Sequence, residues 1–90
     1  MSIMKEDERA ELAHDINAAV ASEDPAAERR RLEAEHGEVW DTDGLMADFV
    51  VKGFIAPFVA VDRKRDGVAG TLLFQHRPRF YFHFQEVTQH

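Results

Sequence analysis

The alternation of apolar and polar residues between Phe54 and Val87 constrains this chain more than any other feature, because a period of two describes a strand with one buried face. The stretch FIAPFVAVDRKRDGVAGTLLFQHRPRFYFHFQEV holds six of the seven phenylalanines and the only tyrosine. Asp66-Gly67 inside it tolerates the positive φ angles of a tight hairpin turn. A two-residue turn there pairs Val61 with Leu72 and Val59 with Phe74, and sets Val59, Val61, Leu72 and Phe74 on one face. The alternative, a three-residue loop with a glycine bulge, brings Phe58 opposite Phe74 and Ala60 opposite Leu72. Pro78 cannot donate to a ladder and so separates the hairpin from a third strand. From Arg79 onward, Phe80, Phe82 and Phe84 point one way, and Tyr81, His83 and Gln85 the other.

The residues before this stretch read as helical. Leu12, Ile16, Ala19 and Val20 form an apolar stripe at helical spacing, which predicts a helix from residue 4 to about residue 21. Asp24 and Pro25 suit the cap and first position of a second helix, and Gly37 suits its C-terminal end. Asp41 or Thr42 can cap a short third helix whose apolar face is Leu45, Met46, Phe49 and Val50, with Lys52 favouring its C-terminal end. The expected fold is therefore α+β in a single domain, 1–90. An acidic helical segment (1–37) and a short capped helix (38–53) pack on a three-stranded antiparallel β-meander (54–87), with Trp40 as an anchor.

Ninety residues, 44% of them hydrophobic, support one modest core. There is no cysteine, so neither a disulfide nor a thiolate metal site can reinforce it. Packing is left, with oligomerisation as a further source of stability. The formal charge of −6 lies wholly in residues 1–40; residues 41–90 balance six acids with six bases, five of them clustered as Arg63-Lys64-Arg65 and Arg77/Arg79. An acidic N-terminus without an apolar segment points to a cytoplasmic protein. The longest uncharged apolar run, Gly53 to Val61, is too short to span a bilayer.

Two motifs suggest chemistry. Asp41-Thr-Asp43-Gly44-Leu45 resembles the D-x-D-G-x-L nucleophile motif of haloacid-dehalogenase-type phosphatases, which implies an attacking aspartate, a second aspartate as proton donor, and a metal ion. In that family a buried hydrophobic strand leads into the motif, whereas here only Val39 and Trp40 follow a glycine and a glutamate, and the same residues suit a helix cap. His76, His83 and His90 recur every seven residues, but no Glu-x-x-His or His-x-x-x-His pair accompanies them. No metal and no cofactor is therefore expected, and no nucleophile sits beside a base to suggest an enzyme.

The leading expectation is a non-catalytic interaction or regulatory module. A sheet has two faces, these helices can cover one, and the aromatic remainder marks a protein interface. Tyr81, His83, Phe58 and Leu73 are the candidates, and a homodimer formed through the sheet is the expected assembly. The alternative is a nucleic-acid-binding accessory protein. Arg63, Lys64, Arg65, Arg77 and Arg79 would contact phosphates, with Tyr81 and His83 stacking on bases. The aromatic run Phe80–Phe84 is vaguely similar to the aromatic strand of cold-shock domains, but it lacks that family's glycine-interleaved partner strand.

Overall fold

The structure, a computed structural model, describes residues 4–87. In chain order it contains α1 (Glu6–Ala18), α2 (Pro25–His36), β1 (Val39–Trp40), α3 (Thr42–Asp48), β2 (Phe49–Ile55), β3 (Phe58–Arg63), β4 (Ala69–Gln75) and β5 (Phe80–Glu86). The class is α+β, as the sequence implies, but the sheet has five strands and not three. Its order is β1-β5-β4-β3-β2 and every neighbouring pair is antiparallel.

The helix ends follow local chemistry. The Asp24 carboxylate accepts from the Ala26 N–H at 3.2 Å with Pro25 in the first turn, and Gly37 (φ +83°) ends α2 by donating to the Glu33 carbonyl. Asp41 caps α3 by accepting from the Gly44 N–H at 2.7 Å, so the phosphatase-like residues act as a cap. The third helix is shorter than expected. It stops at Asp48, and Phe49 turns to extended backbone (φ −134°, ψ 153°). The run FVVKGFI then continues as β2, because β-branched and aromatic residues pack well on a pleated surface. At the far end of β2, Ala56-Pro57 forms a two-residue turn that pairs Ile55 with Phe58. The remaining extra strand is β1, whose Val39 and Trp40 pair with Phe82 and Tyr81.

The β3–β4 register differs from expectation by two residues. Val59 pairs with Leu72 and Val61 with Gly70, because the loop holds four residues, 64–67, closed by a hydrogen bond from the Arg63 N–H to the Val68 carbonyl. Gly67 there takes φ +72°. The Asp66 carboxylate binds the Arg63 guanidinium at 2.8 Å and accepts from the Val68 N–H at 3.2 Å. A slip of two preserves the faces, so Val59, Val61, Leu72 and Phe74 still share one buried cluster.

The third expected strand is corrected more deeply. Between the pairs Leu73–Phe82 and Thr71–Gln85, β5 has one residue more than β4, and His83 within this bulge takes φ +60°. The extra residue inverts the alternation. Phe80 and Phe82 pack with Leu32 and Val39 on one face, whereas Phe84 packs on the opposite cluster with Trp40, Leu45 and Phe49. Gly70 makes room for it: a Cβ there would lie 2.5 Å from the Phe84 ring. Tyr81, expected on an outward face, is buried in the same cluster as Phe84.

That face is concave. The rings of Trp40 on β1 and Phe49 on β2 lie 5.1 Å apart, yet four strand spacings would separate these edges by about 19 Å in a flat sheet. The sheet therefore curls, and α3, joining its two edges, closes the hollow with Leu45. On the convex face α1 packs against β4, and α2 against β1 and β5. Among the described residues no helix is long and apolar enough to cross a membrane.

Candidate interaction surface

The two edges of the sheet are unlike. Strand β1 has two residues, and the Val39 carbonyl accepts a hydrogen bond from Arg29 of α2 at 2.8 Å. Strand β2 has seven residues and, among the described residues, no further strand beside it. The large hydrophobic side chains exposed among the described residues are Met46, Val50, Phe54 and Ile55, at 50–60%. All four belong to α3 or β2. Lys52, the only charged residue of β2, sits at an irregularity between Val51 and Gly53, and its ammonium lies 3.0 Å from the Asp62 carboxylate of β3. On β3 and β4, Phe58, Ala60 and Leu73 are half-buried.

The residues singled out by the sequence fall in three places. Phe58 and Leu73 pair across β3 and β4, with Leu73 reaching the cluster beneath α2. Tyr81 lies inside, where its hydroxyl accepts a hydrogen bond from Arg79 at 3.1 Å. The Arg79 guanidinium lies over Phe74 at 4.8 Å and over Phe54 and Tyr81 at 5.7 Å, a cation–π arrangement that covers an aromatic edge. Arg77 is exposed in the β4–β5 turn with φ +46°. His83 is exposed at its bulge, with its ring 6.0 Å from that of His36. The His36 ring lies on Phe82, and burial pushes its pKa below the ordinary value, with His83 and Arg31 adding to the shift and Glu35 opposing it.

The hairpin bases are held by their own chain. Arg63 binds Asp66 and lies 4.9 Å above the Phe84 ring. The same hydrogen bond raises the pKa of Arg63 and lowers that of Asp66. Lys64 donates to the Met46 carbonyl at 2.8 Å, and the exposed Arg65 lies 3.9 Å from the Asp66 carboxylate. Between this tip, Trp40, Asp48 and Phe84 lies a half-open cleft of about 600 Å³, in which Asp48 is occupied by the indole N–H of Trp40 at 2.9 Å.

The convex face also holds a buried charge. Glu28 of α2 is inaccessible to solvent. Its carboxylate accepts from Arg31 at 2.6 and 2.9 Å, from the Gln75 amide at 2.9 Å and from the Ala21 N–H at 3.2 Å. The hydrogen bonds from Arg31, outweighing the opposing effect of burial, hold its pKa down to about 2. This node fastens α2 to β4. In contrast α1 buries no residue fully and is tied by Asn17, which accepts from the His76 N–H at 2.8 Å. Among the described residues no group of three or more His, Asp or Glu side chains is placed to hold a metal; His90 lies outside them.

Met46, Val50, Phe54 and Ile55 were absent from the sequence-derived interface. Pro57 was the available signal: applied there, the strand-breaking rule used at Pro78 divides Phe54–Val61 into two strands and leaves the first at an edge. Compared with protein-family models, with curated proteins and with solved structures, the chain gives no match in any of the three.

Proposed function

We propose that the protein is a small non-catalytic interaction module that self-associates through the β2 side of its sheet. The observation that carries this reading is the confinement of the exposed large hydrophobics to α3 and β2. Full burial of such a side chain stabilises by about 1.5–3 kcal/mol, and these are already about half-buried. Eight of them across a twofold interface therefore supply about 6–12 kcal/mol, against an association cost of about 4–15 kcal/mol. Apolar contact alone leaves little surplus, so the association needs polar bonds as well.

The nucleic-acid reading has less support. Arg63 and Lys64 already have partners within the chain, and Tyr81 is not accessible for base stacking.

Light scattering across a tenfold concentration range tests the proposal. The expected mass is twice that of the chain, falling to the monomer for the double substitution Val50→Lys, Ile55→Lys while the far-ultraviolet circular dichroism is unchanged. A wild-type monomer at every concentration would sink it.

A further inference from the structure

We infer that the association is strand to strand: β2 pairs antiparallel with β2 of a second copy, and the two sheets join into one of ten strands. This rests on the self-association proposed above and specifies its geometry. A seven-residue edge with no neighbouring strand among the described residues presents a row of peptide groups, the usual template for adding a strand. Strand pairing supplies the polar bonds that apolar contact cannot. It also brings the exposed Val50, Phe54 and Ile55 of each copy to the join.

Charge selects a second copy as the occupant. The chain carries −6 in residues 1–40, whose helices pack over β1, β5 and β4. Two copies therefore repel through most of their surface. Residues 44–63 are neutral, with Asp48 and Asp62 offsetting Lys52 and Arg63. Lys52, which would otherwise meet a like charge across the join, is neutralised by Asp62 at 3.0 Å. Pairing through β2 keeps the acidic helices at the two far ends of the assembly, where screening over more than one Debye length removes their repulsion.

Growth also stops at two. Once both β2 strands are paired, the edges left are the two β1 strands, each two residues long and covered by Arg29 at the Val39 carbonyl. The assembly is thus a closed dimer with an isologous interface, and not a fibre.

Pairing a strand antiparallel with its own copy places one residue opposite itself, because paired residues share a face. The chain contains no cysteine, so single cysteines at each position from Val50 to Phe54 report that residue cleanly. Under mild oxidation the position on the axis is expected to form a reducible dimer at least tenfold faster than a Ser22→Cys control between α1 and α2. Amide exchange of the unsubstituted protein provides a second readout: β2 amides should slow as concentration rises. A dimer that neither cross-links through β2 nor protects it overturns the strand pairing and leaves self-association standing. A monomer overturns both, and species larger than a dimer overturn the closed assembly.

Discussion

The β1 and β2 edges solve the same problem in opposite ways. Both border the sheet, and both carry aromatic residues inward, Trp40 from one and Phe49 from the other. The β1 edge is short and lies beside α2, whose Arg29 takes the Val39 carbonyl. The β2 edge is long, carries the exposed Val50, Phe54 and Ile55, and is guarded by one lysine that is itself paired. A chain that needed only to stay apart from its copies would protect both edges. Under the proposed association, protecting one edge and leaving the other apolar directs the contact to β2.

Three substitutions separate these roles. The largest effect is expected for Phe49→Ala, because Phe49 is 2% exposed and its ring meets both Trp40 and Phe84. Loss of a buried phenylalanine costs about 3–5 kcal/mol, and here it removes the contact that draws the two edges together. Urea denaturation should show that loss; a cost below about 1 kcal/mol would mean the curl is held elsewhere.

Acid should act on the β1 side. Glu28 ionises in the folded state with a pKa of about 2, below the ordinary 4.5. A depressed carboxylate pKa contributes stability that is complete above the unfolded value and is lost as pH falls through the folded one. The window is therefore pH 4.5 down to 2, and the expected loss is on the order of 3 kcal/mol. Glu28→Gln should be less stable than the parent at pH 7 and should flatten this part of the stability curve. If the two proteins fall in parallel between these pH values, Glu28 is not what makes α2 acid-sensitive.

The smallest effect is expected on the open edge. Ile55→Lys, measured where the protein is monomeric, should change unfolding stability by no more than about 0.5 kcal/mol, because the side chain is already 60% exposed. A loss above about 1.5 kcal/mol would show that Ile55 packs within its own chain, and the contrast between the edges would fail.

Much of the local structure was legible in the sequence. Asp24, Pro25, Gly37 and Asp41 mark helix ends through hydrogen bonds and dihedral preferences that neighbouring residues settle. The inward set Val59, Val61, Leu72 and Phe74 survived a wrong register, since a slip of two leaves faces unchanged. The errors lie where one pattern serves two structures. Leu45, Met46, Phe49 and Val50 fit a helical face, but the last two begin a strand, an ambiguity inherent in short apolar runs. The two-residue β1 is too short to leave a periodic signal.

The candidate surface was legible only in part. Phe58 and Leu73 pair across β3 and β4 and are half-buried there. Tyr81 is buried, because which side of a strand is covered depends on what packs there and not on its own alternation.

The sequence by itself determined the α+β class, the acidic helical half, the helix caps and the inward residues of the hairpin, all of which depend on interactions within a few positions. Tertiary structure decided the strand count, the bulge that sends Phe84 to the opposite face from Phe82, the curl that brings Trp40 to Phe49, and which edge stays open. Those features depend on pairing between residues far apart in the chain, where packing volume and not local preference selects the arrangement.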